Sequence, residues 1–244
     1  SKSEKVLKFI IQEELNNHYI DIKFTDLLVE GINRVLNTSL GNKLKNKRLI
    51  DISGSSTLKE VKYDLAIKCK TKVISSEDIA KSFLLDENHY FGKSYAAKVE
   101  ELKFFSRGFH TGFIDCIIPI GENPESSKWW IIDWKSNYIY NQLENTCLPK
   151  NYIHQNIKDE MIRHHYPLQS HLYLLALHRL LKWRLKDYDP YINLGGYVYI
   201  FIRGLPEINI NQKSRIKDDF PGLFIGEAPI NRINYLDNLF KNGN

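Results

Sequence analysis

The sequence predicts an α/β fold, and three observations point to it. An apolar hairpin pattern occupies residues 108–136, a leucine-rich helix follows Pro167, and a β-branched, aromatic strand bounded by glycines runs over 195–204. Strands interleaved with helices in this way build a sheet with helices packed on it.

The elements follow in order. Residues 4–17 place Val6, Leu7, Ile10, Ile11 and Leu15 at helical spacing and end at Asn16-Asn17. Residues 25–37 form a second helix with Thr25 as the expected N-cap. Lys43, Lys45, Lys47 and Arg48 then cluster in a stretch read as a solvated connector. Residues 60–68 alternate like a half-buried strand, with Val61, Tyr63, Leu65 and Ile67 on one face. Residues 75–107 carry no decisive period. GFHTGFIDCIIPI reads as a strand, GENPESSK as a hairpin loop and WWIIDWKS as the returning strand. A polar stretch covers 137–163. Pro167, a favoured first-turn residue, opens a helix to about Lys186, which Asp187-Tyr188-Asp189-Pro190 stops. GGYVYIFIRG is a further strand, and NRINYLDNLF closes the chain as an amphipathic helix. The division expected is one domain over 1–244: a helical N-terminal part with the first strand (1–107), a core (108–204) and a tail with its helix (205–244).

Composition bounds the function without choosing it. At 244 residues with 43% hydrophobic content, the chain is long enough to bury a core unaided. No apolar run approaches ~20 residues, so no membrane-spanning segment is expected. Cys69, Cys116 and Cys147 are odd in number and form no CxxC pair, which excludes a disulfide framework or structural zinc and suits reduced thiols in a cytosol. A net charge of +5 is compatible with nucleic acid but common on ordinary surfaces. The chain begins at Ser rather than Met and is expected to be a fragment of something longer. There is no Walker A loop and no four-cysteine iron–sulfur pattern.

Two carboxylates and a lysine suggest chemistry. Asp115 lies on the first hairpin strand, and Asp133 and Lys135 project from one face of the second because strand side chains alternate. Two carboxylates brought together among isoleucines repel, and a divalent cation holds both ionised. Oxygen ligands suit Mg²⁺ or Mn²⁺, and the matching reaction is phosphodiester hydrolysis. On the helix after Pro167, Gln169 and Tyr173 are four apart and therefore neighbours on one face. His164-His165 at the helix start has no third ligand in register and is read as DNA-facing or solvated. Trp129, Trp130 and Tyr138 are explained as well by core packing as by base stacking.

Gly112-Phe113-Ile114-Asp115, then Ile132-Asp133-Trp134-Lys135-Ser136-Asn137, resemble the nuclease domain at the C-terminus of RecB in the RecBCD helicase–nuclease. Tyr166-Pro167-Leu168-Gln169-Ser170-His171-Leu172-Tyr173 is similar to that family's Q-xxx-Y helix, and Gly195-Gly196 through Gly204 to its next strand. The likeness is close over about 108–204 and weak over 1–107. It implies a restriction-endonuclease-like PD-(D/E)xK core, a mixed central sheet flanked by helices. It further implies metal binding by Asp115, Asp133 and the Trp134 carbonyl, catalysis by Lys135, and Gln169 and Tyr173 at the DNA. The implied cofactor is Mg²⁺ (or Mn²⁺), and the implied activity is exonucleolytic cutting, chiefly of single-stranded DNA, in double-strand-break repair by recombination. RecC-like and RecD-like subunits, a RecA-like recombinase and a cytoplasmic setting come with it. Two features depart from the family. Its histidine ligand in a G-x-F-L-H helix has no counterpart before Asp115, and Lys62 falls at the position of its strand glutamate, with Asp64 two residues on. The alternative function is a nuclease fold with a weakened metal site, kept to bind DNA or dock a partner.

Overall fold

The computed structural model describes residues 2–52, 57–67, 73–141, 145–205 and 221–242. Its helices are α1 (Lys2–Asn17), α2 (Thr25–Asn37), α3 (Ser76–Ala80), α4 (Lys93–Glu100), α5 (His154–Arg163), α6 (Tyr166–Arg184), α7 (Pro190–Asn193) and α8 (Ile230–Asn242). Its strands are β1 (Leu58–Ile67), β2 (Ile74–Ser75), β3 (Phe105–Ser106), β4 (Gly108–Ile120), β5 (Lys128–Lys135), β6 (Leu194–Phe201) and β7 (Leu223–Glu227). The main sheet has the order β1-β4-β5-β6-β7, and β2 with β3 forms a separate ribbon. All neighbours in the main sheet are antiparallel except β5 and β6, which run parallel. This is a mixed α/β sheet flanked by helices, the restriction-endonuclease-like core.

The parallel pair explains the polar stretch between the two strands. A parallel connection must cross back over a sheet face, and here α5 and α6 do so. β6 is buried at every residue, as a strand covered on both faces must be, which accounts for its unbroken apolar run. At its start Gly196 adopts φ +152°, and a Cβ there would meet the Gly226 carbonyl oxygen at 2.0 Å, so only glycine fits.

One face of the sheet carries the large core. Ile114, Ile117, Ile131, Tyr197, Tyr199 and Phe201 meet Leu174, Leu175 and Leu177 of α6, Ile233, Leu236 and Phe240 of α8, and Phe83 and Tyr95. The opposite face (Cys116, Ile118, Trp130, Ile132, Val198, Ile200) is covered by Leu40 and Leu44, both fully buried. The lysine-rich connector is therefore a lid on the sheet: its cations stay at the surface, where Lys43 pairs with Glu227 at 3.2 Å, while its leucines enter the core. Trp129 and Trp130 are core residues, and Tyr138 is 60% exposed. α1 and α2 make a small core of their own from Ile11, Leu15 and Val29. Thr25 does not cap α2, because its hydroxyl donates back to the Ile22 carbonyl at 2.6 Å. Cys69 lies outside the described residues; Cys116 and Cys147 are free thiols.

Candidate active site

The β4–β5 ladder runs from Ile120–Lys128 to Cys116–Ile132 and stops. Asp115 and Asp133 are the next positions along, where β4 leaves β5 for its pairing with β1. Parting strands free side chains and backbone groups that a continuous ladder would consume. One is the Trp134 N–H, which donates to Asp115 Oδ2 at 3.0 Å and ties the first carboxylate to the backbone between Asp133 and Lys135.

Asp133 and Lys135 both face α6, as strand alternation requires. Lys135 Nζ lies 2.6 Å from Asp133 Oδ2 and donates to Gln169 Oε1 at 3.1 Å. It also sits over the Tyr166 ring at 4.1 Å and the Tyr199 ring at 5.3 Å. Gln169 Nε2 donates onward to the Tyr173 hydroxyl at 3.0 Å, one helical turn along α6. The Tyr199 hydroxyl reaches Gln169 Oε1 at 3.0 Å and so holds the amide in the orientation the lysine needs. The five candidate side chains are thus brought together: one unbroken polar path links Asp133, Lys135, Gln169 and Tyr173, and Asp115 stands beside it.

Burial sets the electrostatics. Asp133 is 2% exposed. Loss of water pushes its carboxyl up to about 6 against the pull of Lys135, and the Asp115 charge adds to the rise. Its Oδ2 is ion-paired with Lys135 Nζ at 2.6 Å and has no further hydrogen-bond partner among the described residues, so this buried oxygen keeps a lone pair uncommitted. Tyr173 is held as a neutral phenol, first by burial and then by the two nearby carboxylates.

This donor set fits a hard divalent cation of the Mg²⁺ kind. Two carboxylates and a backbone carbonyl are oxygen ligands, one carboxylate has an unsatisfied buried oxygen, and Mg²⁺ characteristically uses one or two carboxylates while keeping water. Among the described residues no group of three His, Cys, Asp or Glu side chains lies close enough to form a closed cage.

Comparison with known proteins finds similarity to several RecB proteins. Over 199 residues the chain is 30% identical to RecB, a RecBCD enzyme subunit, from Buchnera aphidicola subsp. Schizaphis graminum, covering 78% of this chain and 14% of that one. RecB of Haemophilus influenzae is 27% identical over 91% of this chain and 16% of its own length. RecB of Mycolicibacterium smegmatis is 34% identical over 54% and 11% respectively. The chain matches a segment of RecB. It spans only about a tenth to a sixth of these relatives. No family model matches it.

Several neighbours of the site escape a reading of the sequence. Lys59 pairs with Cys116 and Val61 with Ile114, so the residue across from Asp115 is Glu60 rather than Lys62. Glu60 adopts φ +49°, a left-handed kink at the point where the strands part. Lys62 and Asp64 pair with Phe113 and Thr111 farther along, are exposed, and lie 4.0 Å from each other. Tyr63, on the inner face, packs edge-on against Tyr173 and hydrogen-bonds His110 at 3.1 Å. Gly112 makes room for it, since a Cβ there would meet the Tyr63 hydroxyl at 2.7 Å. Of the two histidines before α6, His164 bonds Glu160 at 2.9 Å and stacks on Tyr166, and His165 bonds Tyr95 at 3.2 Å. Both are tied into the protein.

Proposed function

We propose that this chain is the nuclease segment of a RecB-like helicase–nuclease subunit. It hydrolyses phosphodiester bonds, chiefly in single-stranded DNA, during recombinational repair of double-strand breaks in the cytoplasm. The observation that carries the reading is the buried Asp133–Lys135–Gln169–Tyr173 path beside Asp115, in a chain similar to RecB. RecC-like and RecD-like subunits, a RecA-like recombinase and ATP dependence in the full complex belong to the same proposal.

Asp115, Asp133 and the Trp134 carbonyl would hold Mg²⁺ (or Mn²⁺), with Glu60 the nearest further carboxylate in register. When bound, the ion lowers the pKa of water and offsets charge on the phosphate. The protein's own residues do the rest. Lys135, fixed by Asp133, Gln169 and two rings, presents a cation to the charge that grows on the phosphate oxygens as water attacks phosphorus and the P–O bond breaks. The Tyr173 hydroxyl accepts from Gln169 and stays protonated, so it offers its own hydrogen to a phosphate oxygen. No described helix is long and apolar enough to cross a membrane.

The two-carboxylate donor set supports a second reading, a docking or DNA-binding module with weakened metal affinity. Degradation of labelled single-stranded DNA separates them. The nuclease reading expects cutting with Mg²⁺ that EDTA, Asp133→Ala and Lys135→Ala each abolish. Cutting that survives both substitutions removes this site from the chemistry, and binding without cutting at any Mg²⁺ or Mn²⁺ concentration leaves the docking module.

A further inference from the structure

The segment leaving β5 places two large aromatic side chains in solvent on rigid backbone. Tyr138 is 60% exposed and Tyr140 41%, and their rings lie 6.0 Å apart at 19° to each other. The backbone beneath them is pinned. The Tyr152 hydroxyl donates to the Asn137 carbonyl at 2.8 Å and accepts from the Ile139 N–H at 3.2 Å, and Asn151 Nδ2 donates to the Ile139 carbonyl at 3.2 Å. Arg203, held through Nε to the Ser136 carbonyl at 3.1 Å, carries its guanidinium 5.9 Å from the Tyr138 ring. A guanidinium and two phenol rings therefore follow one another along the surface.

These rings edge a groove of about 710 Å³, also lined by Lys150, Ile153, Glu160 and Arg163. Hydrogen bonds link the groove to the site. Asn137, next to Ser136, accepts from the Tyr166 hydroxyl at 3.0 Å and donates to Glu160 at 2.9 Å, and it is the Tyr166 ring that lies under Lys135. The acidic groups that line it are engaged. Glu160 takes Arg163, His164 and Asn137, and Asp159 accepts from Gln155. With these carboxylates engaged, the cations Lys150 and Arg163 in the lining and Arg203 beside Tyr138 suit a ligand that carries both flat apolar faces and phosphates.

We infer that this groove is a path for single-stranded nucleic acid leading to or from Lys135, with bases stacking on Tyr138 and Tyr140. The inference rests on the nuclease reading for its ligand class. A duplex hides its base faces, whereas an unpaired strand offers one to each ring, and such stacking tolerates any sequence. Arg203 adds a cation to the same ladder.

The test is the affinity of the full 244-residue chain for a fluorescent oligothymidylate, read by anisotropy in EDTA so that nothing is cut. Tyr138→Ala and Tyr140→Ala each weaken binding about tenfold, and Phe at both positions restores it to within about twofold. An abasic oligomer of the same length binds parent and variants alike, because it keeps the phosphates and lacks the faces. Tyr138→Leu and Tyr140→Leu keep apolar bulk and serve if the alanine variants lose their circular dichroism. Unchanged oligothymidylate affinity in the folded variants overturns the inference, as does an equal loss for the abasic strand. Asp133→Ala distinguishes the two proposals: it removes cutting and leaves the tyrosine dependence of binding intact. A chain that cuts without that dependence loses only the groove, and one that shows the dependence without cutting loses only the nuclease.

Discussion

Two buried carboxylates in this molecule live opposite lives. Asp237, on α8, is 5% exposed and held by two cations, Arg179 Nε at 2.7 Å and Lys241, with His178 Nε2 at 3.7 Å. Those contacts outweigh its loss of water and hold its carboxyl far below the usual range. Asp133, on β5, is just as buried but has one cation, Lys135, and burial wins, pushing its carboxyl up to about 6. One carboxylate is neutralised within the fold. The other is left with an unsatisfied oxygen in a place where ionisation is costly. On the proposed nuclease reading, that unsatisfied oxygen is the one a divalent cation would take.

The comparison breaks first at activity. Asp133→Asn is expected to reduce Mg²⁺-dependent cutting by about 10²–10³-fold, or roughly 3–4 kcal/mol of barrier. Its stability should change by about 1 kcal/mol or less, because the substitution removes the cost of burying the charge, while Lys135 keeps Gln169 and the Tyr166 and Tyr199 rings. Asp237→Asn should behave inversely. It leaves Arg179, His178 and Lys241 without their shared anion and costs about 3 kcal/mol in urea unfolding, with kcat per folded molecule unchanged. Should both variants lose equal stability, the distinction between a satisfied and an unsatisfied carboxylate collapses.

These regions were unequally legible in the sequence. The D-x-K pair on β5 and the Q-xxx-Y pair on α6 could be read because alternation and the helical turn fix which side chains share a face. The partners of Asp237 could not, since Arg179 and Asp237 are 58 residues apart and nothing local links them. Strand register is equally hidden. Alternation puts Glu60, Lys62 and Asp64 on one side without saying which one stands across from Asp115, and only pairing with β4 selects Glu60. Tyr199, which orients Gln169, sits in a strand buried on both faces, where alternation vanishes. α5 was concealed inside polar sequence because only Ile157, Glu160 and Met161 turn inward. β7, five residues long beside Pro221-Gly222, is too short to show a period. The connector over 40–49 looks solvated in the sequence because its charges outnumber Leu40 and Leu44, its two fully buried residues.

A third buried group sharpens the contrast through pH. His171 is enclosed on α6: Nδ1 donates to the Pro167 carbonyl at 2.6 Å, and Nε2 faces Arg232 at 3.4 Å. Burial and the Arg232 charge lower its pKa to about 3 from an ordinary 6.5. The folded state therefore refuses a proton that the unfolded chain accepts below about 6.5. Stability is fully present above that pH and is lost as pH falls toward 3, at up to about 1.4 kcal/mol per pH unit from this residue. Urea unfolding between pH 6.5 and 4.5 should show that slope, and His171→Gln should flatten it. A slope unchanged in the variant would assign the acid sensitivity elsewhere.

The smallest effect probes how far the polar path from Asp133 extends. Tyr173→Phe removes the hydroxyl at its end while keeping the ring packed against Tyr63, so the fold should lose about 1 kcal/mol or less. If the phenol donates to the phosphate, kcat drops about five- to tenfold with KM for oligonucleotide little changed, a loss of roughly 1 kcal/mol from the transition state alone. Tyr63→Phe is the control, because it deletes the hydroxyl facing His110 and leaves Tyr173 its own. Should Tyr173→Phe cut as fast as the parent, the working path ends at Gln169. The tyrosine is then a wall of the site, and what separates the Asp133 region from the Asp237 cluster reduces to one ion pair and the amide that steers it.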